Sequence, residues 1–374
     1  MRIGVPKEVK NHEYRVALTP PGVHELASRG HDVVIEAGAG AGSSIRDDEF
    51  TAAGAKILES ADEVWGQSEL VLKVKEPIES EYHRLREDLT LFTYLHLAAS
   101  RECTDALLRA KTTAIAYETV QLPSGALPLL YPMSEVAGCL APQVGGEALR
   151  RTGGGRGLLL GGVTGVEPAK VVVLGAGVAG TNAIAMTVGG WADVTVLDTD
   201  VDKLRALDRR YNGRVTTVVA NSFEIERAVL AADLVIGAVL LPGAKAPRLV
   251  SNALVARMKP GSVLVDISID QGGCFEDSRP TTHDDPTYPV HGSVFYCVAN
   301  MPGAVPNTST YALTNVTLPY VRAIADKGWR QALADDSVLA PGLNTLGGQL
   351  TNAPVARAHG LDHLPLADAI GTER

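Results

Sequence analysis

The chain has 374 residues, of which 45% are apolar and 21% are charged, and this length and composition are usual for a globular protein of about two domains. The formal net charge is −9, which disfavours nucleic acids and anionic membrane surfaces as partners. No apolar run approaches the roughly 18 residues of a membrane-spanning helix, and the first residues lack the pattern of a signal peptide. The spacing of Cys103, Cys139, Cys274 and Cys297 indicates neither a disulfide framework nor a zinc site. The sequence therefore predicts a cytoplasmic protein without a metal site.

The N-terminal third of the chain contains five short apolar runs rich in Val, Ile and Leu, which favours strands over helices. Strands are predicted at residues 2–5, 32–35, 71–75, 89–96 and 114–118. Between the first two strands, a helix is predicted to begin after Thr19, to have Pro20 and Pro21 in its first turn, and to end at Gly30. This region is therefore predicted to form one α/β unit.

A second group of apolar runs lies between residues 168 and 300. Strands are predicted at residues 170–174, 192–197, 214–219, 233–240, 262–267 and 294–298, with helices at 202–210 and 223–230. Because these runs show no polar alternation, they predict strands buried on both faces of a parallel sheet that helices cover. The glycine-rich residues 153–165 are predicted to form a turn or hairpin before this sheet. Residues 309–336 are predicted to be helical, with a break near Pro319.

A dinucleotide fingerprint follows the first strand of the second group. Gly175, Gly177 and Gly180 form the pattern G-x-G-x-x-G between that strand and a helix predicted from Thr181 onward. In this context the first glycine permits a tight turn, the second lets the backbone approach a pyrophosphate, and the third allows helix and strand to pack closely. The N–H groups at the start of the helix would then face the phosphates.

The next strand is predicted to end at Asp198. A carboxylate at this position accepts hydrogen bonds from ribose hydroxyls and repels a 2′-phosphate, which predicts NAD rather than NADP. Lys203 and Arg205 lie nearby and keep NADP as an alternative.

Four side chains near predicted strand ends are candidates for chemistry, because ligands of open α/β sheets bind beyond the carboxyl ends of the strands. His96 ends a predicted strand, and an imidazole suits proton transfer. Arg15 lies between the first strand and the first helix, and its planar guanidinium suits a carboxylate. Lys75 also ends a strand, while Asp270 precedes two glycines after the strand at 262–267.

Each candidate has a structural alternative. His96 could be a satisfied core histidine, Arg15 and Lys75 could be solvated, and Asp270 could cap a turn. Lys73 shares a strand face with Lys75, so the spacing does not choose between them. Asp266 lies inside its predicted strand and is interpreted as structural.

Several long segments of the chain resemble the L-alanine dehydrogenase family, which is related to the nicotinamide-binding domain of proton-translocating transhydrogenase. The similarity spans nearly the whole chain, so chance is implausible. The matching segments are residues 3–8, 11–20, 72–77, 94–98, 133–138, 258–273 and 300–306.

The resemblance implies a role for each candidate. Arg15 and Lys75 bind the substrate, and His96 and Asp270 act as proton donors and acceptors. Together with the fingerprint, it implies contacts to the cofactor from Ser134, Gly175, Gly177, Val178, Ala179, Gly180, Asp198, Lys203, Val239, Leu240, Ile267, Ser268, Ile269, Asp270, Arg279, Val298, Ala299, Asn300 and Met301. Ala220 departs from the pattern, because some relatives have Ser there, and one hydroxyl contact to NAD is then lost.

The family's architecture predicts an α/β fold with two Rossmann-like, doubly wound parallel-sheet domains separated by a cleft. Residues 1–128 and 307–374 would form a discontinuous substrate domain, and residues 129–306 would form the NAD-binding domain. The implied assembly is a homohexamer.

The predicted reaction is the reversible, NAD-dependent oxidative deamination of L-alanine to pyruvate and ammonium. Two alternatives remain open at this point. One is a nicotinamide-binding module of a transhydrogenase, and the other is a related dehydrogenase that acts on another small amino acid or 2-oxo acid.

Overall fold

The computed structural model describes residues 1–239 and 246–371. The described residues contain strands β1 to β15, at Arg2–Val5, Asp32–Glu36, Lys56–Leu58, Leu70–Leu72, Thr90–Thr93, Thr113–Ala116, Lys170–Leu174, Asp193–Asp198, Val215–Val219, Leu234–Gly237, Val263–Asp266, Thr287–Val290, Ser293–Tyr296, Leu343–Leu346 and Gln349–Leu350. They also contain helices α1 to α13, at Pro20–Ser28, Asp47–Ala52, Ala61–Gln67, Arg101–Ala110, Tyr131–Leu149, Val178–Gly189, Val201–Tyr211, Ser222–Ala231, Asn252–Val255, Pro306–Lys327, Trp329–Asp335, Ala353–His359 and Leu366–Ile370.

The first compact unit comprises Met1–Met133 and Val305–Arg374. Its sheet has the strand order β15-β14-β6-β5-β4-β1-β2-β3 among the described residues. The six strands from β6 to β3 run parallel, whereas β14 is antiparallel to both β6 and β15. The parallel part therefore has the doubly wound Rossmann order, whose switch point lies between β1 and β4.

The second unit comprises Ser134–Ala304. Its described strands follow the order β12-β13-β11-β10-β7-β8-β9. All neighbours pair in parallel except the edge strand β12, which is antiparallel to β13. This is again the Rossmann order, with its switch point between β7 and β10.

Strand burial explains why the continuous apolar runs identified these strands. Every residue of β10, β11 and β13 is buried, as are four of the five residues of β7. A strand buried on both faces needs apolar side chains at every position, so the runs in the sequence are unbroken. The prediction of an α/β fold with two Rossmann-like parallel-sheet domains is confirmed.

Several predicted elements have different limits in the structure. Strand β4 ends at Leu72 and β5 ends at Thr93, so Lys75 and His96 lie in the segments beyond these strands. Helix α6 begins at Val178 rather than at Thr181. The sequence pattern did not indicate the short strands β3, β12, β14 and β15 or helices α2, α3, α4, α5, α9, α12 and α13. Most of these elements are short and carry a weak periodic signal. Helix α5 is long, but it contains Pro142 and three glycines, which disfavour a helix.

The predicted break near Pro319 is wrong. Helix α10 continues through Pro319 and ends at Lys327, where Gly328 follows with a φ of 76°. A proline removes one helical hydrogen bond, but the apolar face of α10 buries Leu313, Val321 and Ile324, and such packing supplies most of the stability of a helix in a protein.

The division between the two units falls between Met133 and Ser134 and between Ala304 and Val305, rather than at 128/129 and 306/307. The first division lies within α5, so no loop in the sequence marks it. In the described part of the chain, no helix combines the length and the apolar character needed to cross a membrane.

Candidate active site

The predicted cofactor residues of the second unit follow the carboxyl ends of neighbouring strands. Gly175 follows β7, Asp198 ends β8, and Val239 follows β10. Residues 267–270 follow β11, and residues 298–301 follow β13. Because these strands are parallel neighbours, the sheet brings all five segments to one edge. Leu240 lies outside the described residues.

The geometry of the glycine turn fits a dinucleotide. Gly175 has a φ of 102°, which side chains rarely allow, and its N–H donates to the Leu197 carbonyl at 2.8 Å. A Cβ at Gly180 would overlap the Gly175 carbonyl oxygen, whereas a Cβ at Gly177 would meet no atom within 4 Å. Gly180 is therefore required for packing, while Gly177 leaves open space where α6 begins at Val178.

Asp198 also organises this turn. One of its carboxylate oxygens accepts the Ala176 N–H at 2.6 Å, and the other accepts the Asp200 N–H at 2.8 Å. The nearby cations pair with aspartates of their own segment, since Lys203 lies 3.8 Å from Asp200 and Arg205 donates to Asp202. Both pairs are exposed to solvent, so they hold the two cations only weakly.

Helix α5, which begins near Ser134, packs closely against the start of α6. A Cβ at Gly138 would overlap the carbonyl oxygen of Ala179. Ser134 is half-buried and lies one helical turn before Gly138. The unit therefore carries the predicted cofactor residues Ser134, Val178 and Ala179 on two helices in contact.

Asp266 is structural, as the sequence interpretation held. Its buried carboxylate accepts hydrogen bonds from the Ser268 N–H at 3.0 Å, the Cys274 N–H at 2.7 Å and the Ser278 hydroxyl at 2.5 Å. Burial raises its pKa above the ordinary value. Asp266 thus shapes the loop that carries Ile267, Ser268, Ile269 and the exposed Asp270, and the Ser268 hydroxyl donates to the Val239 carbonyl at 2.7 Å.

The remaining predicted cofactor residues lie around β12 and β13. The Arg279 guanidinium lies 4.0 Å from the centre of the Tyr288 ring. Val298 and Met301 are buried, whereas Ala299 and Asn300 are half-buried. Ala220, the position where some relatives have Ser, lies elsewhere in the same sheet: it follows β9 and is half-buried.

The first unit places its candidates in the same way. Arg15 lies in the segment after β1, Lys75 after β4 and His96 after β5. Glu118 follows β6. Since these four strands are parallel neighbours, their following segments meet at one edge that includes the switch point between β1 and β4.

Arg15 forms a buried ion pair with Glu13. The two guanidinium nitrogens Nε and Nη2 donate to the two carboxylate oxygens, each at 2.6 Å. Burial alone would raise the pKa of Glu13, but the hydrogen bonds and charge of Arg15 outweigh it and lower the pKa. The third nitrogen, Nη1, lies 2.9 Å from the Met133 sulfur. Arg15 is therefore held rigidly by its own loop.

The structure separates the two lysines that the spacing left equivalent. Lys73 is fully buried and pairs with Glu8 at 3.0 Å and with Glu81 at 2.9 Å. Lys75 is half-buried, and among the described residues its ammonium group has no hydrogen bond or ion pair. Lys73 is thus a structural residue, and Lys75 is the one whose charge is available to a ligand.

His96 has a left-handed backbone, with a φ of 48° and a ψ of 36°. The Glu118 carboxylate accepts its N–H at 2.6 Å and the N–H of Leu95 at 3.2 Å. The Tyr94 ring lies nearly parallel to the imidazole, with 5.8 Å between the ring centres.

The supporting residues Glu8, Glu13, Tyr94 and Glu118 were missed as functional candidates. Three of them lie within segments that carried the family resemblance, which was the only signal for them. Glu118 lies in none of those segments, but it ends the strand predicted at residues 114–118, so a complete search of strand ends would have found it.

Two Rossmann-type units, one of them with a dinucleotide fingerprint, define this molecule as an α/β protein of the dinucleotide-binding class. The family description "Alanine dehydrogenase/PNT, N-terminal domain" matches residues 4–137, and "Alanine dehydrogenase/PNT, C-terminal domain" matches residues 141–353. The chain belongs to the alanine dehydrogenase/PNT family, which confirms the resemblance.

Individual proteins agree with this assignment. The chain is 63% identical over 369 residues to a protein of Mycolicibacterium smegmatis named alanine dehydrogenase, covering 99% of both chains. A solved structure named L-alanine dehydrogenase superimposes with a TM-score of 0.94 at 52% identity, covering 96% of this chain and 99% of that one. A transhydrogenase structure from Sinorhizobium meliloti superimposes with a TM-score of 0.80 at 25% identity, covering 94% and 99%.

Proposed function

We propose that this protein catalyses the reversible, NAD-dependent oxidative deamination of L-alanine to pyruvate and ammonium. The observation that carries the proposal is the 63% identity, over 99% of both chains, to a protein named alanine dehydrogenase. The positions of Arg15, Lys75 and His96 beyond neighbouring strands of one sheet support it, because this edge is where open α/β sheets bind ligands.

The choice of NAD rests on the glycine turn and on Asp198. The open space at Gly177 and the N–H groups at the start of α6 suit a pyrophosphate. The Asp198 carboxylate suits ribose hydroxyls and repels a 2′-phosphate. When bound, NAD accepts the hydride from the α-carbon of the amino acid. The second unit would hold the cofactor, and the first would hold the substrate.

The substrate carboxylate requires a cation, and two are available in the first unit. Arg15 already forms a bidentate ion pair with Glu13, so that pair carries no net charge. The ammonium of Lys75 therefore supplies the net positive charge for an amino acid or 2-oxo acid, and Arg15 contributes direction through hydrogen bonds.

Deamination also requires proton transfers. After oxidation, the imine carbon adds water, and the carbinolamine collapses to pyruvate and ammonium. The amino group first loses one proton, so that its lone pair can assist the departure of the hydride. The oxygen of the attacking water then loses one proton on addition and a second on collapse, and the nitrogen takes up both and is released as ammonium. A ring nitrogen of His96 suits this exchange, because an imidazole can both accept and donate a proton, and a carboxylate oxygen of Asp270 is the second proposed acceptor and donor.

The test is NAD reduction by the purified protein with each common amino acid at alkaline pH, repeated with NADP. We expect turnover with L-alanine and NAD, and slower turnover with valine or leucine, because the Met133 side chain lies against Arg15 and restricts the space. Faster turnover of a larger amino acid would reject alanine as the substrate. Equal use of NADP would reject the role of Asp198, and no turnover without a membrane partner would favour a transhydrogenase module.

We also propose a cytoplasmic location, which fractionation of cells tests. We further propose a homohexamer, which light scattering of the purified protein tests.

A further inference from the structure

His96 adopts a left-handed backbone conformation, as His12 and His291 also do among the described residues. Its φ of 48° and ψ of 36° lie in the left-handed region, which only a few per cent of non-glycine residues occupy. Such a conformation persists only where surrounding contacts enforce it. The turn from Tyr94 to His96 therefore requires specific support.

Glu118 supplies this support from the segment that follows the neighbouring strand β6. Its Oε1 accepts the N–H of His96 at 2.6 Å and that of Leu95 at 3.2 Å, and its Oε2 also lies 3.2 Å from the Leu95 nitrogen. Within the described part of the chain, the Glu118 side chain forms no other hydrogen bond or ion pair. All hydrogen bonds of the Glu118 side chain in this part of the chain are thus made to the turn that carries His96.

Tyr94 supports the imidazole from the side. Its ring is within 9° of parallel to that of His96, and its hydroxyl donates to the Leu129 carbonyl at 2.5 Å. The backbone of His96 is therefore held by Glu118, while the ring packs against a tyrosine that is itself anchored.

We propose that Glu118 is a positioning residue that holds the imidazole of His96 in the orientation needed for proton transfer. This inference rests on the proposed function, in which His96 moves protons to and from the substrate. Glu118 acts through His96 and makes no contact with the substrate. Displacement of a catalytic group by about 1 Å can lower the rate about 10²-fold. The loss of the Glu118 carboxylate should therefore have a measurable effect on kcat.

Two variants of Glu118 and one matched control test the proposal. Glu118→Ala removes all acceptors, whereas Glu118→Gln keeps one oxygen that can accept the two bonds of Oε1. The control is Asp47→Ala, because the Asp47 carboxylate accepts the N–H of Gly38 at 3.0 Å and Gly38 also has a positive φ, 72°. The control thus removes the same kind of contact at a position outside the proposed chemistry.

We expect Glu118→Ala to lower kcat with L-alanine by about 10- to 10²-fold, with KM changed much less, and Glu118→Gln to recover most of the loss. Asp47→Ala should lower the melting temperature without lowering kcat. In a His96→Ala background, Glu118→Ala should cause little further loss, since residues that act as a unit are not additive. An unchanged kcat in Glu118→Ala, or the same loss with and without His96, would overturn the proposal.

A readout without turnover separates this inference from the proposed function. Carbethoxylation of each histidine by diethyl pyrocarbonate is followed by mass spectrometry. In Glu118→Ala we expect the rate at His96 to rise several-fold, with His12 unchanged. An unchanged rate at His96 would contradict the role of Glu118, whereas an absence of NADH formation by the wild-type protein would contradict only the proposed function.

Discussion

At the scale of single residues, Lys73 and Lys75 show how environment assigns different roles to identical side chains. Lys73 lies between Glu8 and Glu81 and has no exposed surface. Because all three side chains are buried, removing one of them leaves the charge of the others uncompensated. Lys75 is two residues further along and is partly open to solvent. Substitution of Lys73 and substitution of Lys75 should therefore have different consequences.

We expect Lys73→Met to reduce stability by about 3–5 kcal/mol, because it leaves two buried carboxylates without their cation. Lys75→Met should leave stability nearly unchanged and reduce kcat/KM for L-alanine by about 10- to 10²-fold, the value of a hydrogen bond to a charged group. Urea unfolding and steady-state kinetics on both variants measure the two effects. Loss of stability in Lys75→Met with normal kinetics would show that the assignment is reversed.

The ion pair of Glu13 and Arg15 predicts a pH dependence of stability. The folded-state pKa of Glu13 lies below its ordinary value of 4.5, since the hydrogen bonds and charge of Arg15 outweigh the effect of burial. A lowered pKa contributes stability above the ordinary value, and this contribution is lost as the pH falls through the lowered one.

We therefore expect Glu13→Gln to reduce the free energy of unfolding by about 3–5 kcal/mol at pH 7, the cost of removing one partner of a buried ion pair. The difference from wild type should shrink as the pH falls from the ordinary pKa of a glutamate towards the lowered pKa of Glu13 in the folded protein. Urea unfolding of both proteins between neutral and acidic pH measures it. A difference that grows towards acidic pH would contradict the lowered pKa.

At the scale of elements, buried or half-buried carboxylates hold the segments that follow the strands. Glu8 accepts the N–H of Val74 at 2.6 Å in the segment of Lys75, and Glu118 does the same for His96. Asp198 anchors the glycine turn, and Asp266 anchors the loop of Asp270. In each case a carboxylate accepts a hydrogen bond from a backbone N–H group that has no partner in the sheet once the strand has ended.

The glycine turn offers a matched pair of substitutions. Gly177→Ala adds a methyl group to open space, so we expect normal stability and at least about 10-fold weaker NADH binding, because the methyl group would occupy the path of a pyrophosphate. Gly180→Ala would press against the Gly175 carbonyl oxygen, and we expect it to destabilise the protein by about 1–3 kcal/mol, as overpacking does. Fluorescence titration with NADH and thermal unfolding distinguish them. Equal effects on both measurements would contradict the separate roles.

At the scale of the whole molecule, both units have the same strand order but differ in continuity. The second unit is one uninterrupted segment, and its sheet is complete from β7 to β13. The first unit needs the C-terminal part of the chain, because β14 pairs with β6 and the Val16 N–H donates to the Thr310 hydroxyl of α10 at 3.1 Å.

This difference predicts the behaviour of fragments. We expect residues 131–304, which include all of α5, to unfold cooperatively and to bind NADH. Residues 1–133 alone should not unfold cooperatively, since they lack β14 and α10. Circular dichroism during heating and NADH titration of both fragments provide the measurement. A cooperative transition in the 1–133 fragment would show that the C-terminal elements are dispensable for the first unit.

The sequence by itself determined the two α/β units, most central strands, and the glycine turn with Asp198. These features are encoded locally, because a strand buried on both faces needs an unbroken apolar run and a tight turn beside a pyrophosphate needs glycine. Candidates such as Arg15 and His96 could be identified from the same local pattern, since Arg15 lies between a recognisable strand and helix and His96 follows a recognisable strand.

Only the tertiary structure decided what depends on partners distant in the chain. Lys73 and Lys75 are alike until Glu8 and Glu81 are brought to one of them. The support of His96 by Glu118 joins the segments that follow two neighbouring strands, and the continuation of α10 through Pro319 depends on packing. Ion pairs and packing between segments far apart in sequence leave no local periodicity, and for that reason the pattern of residues could not predict them.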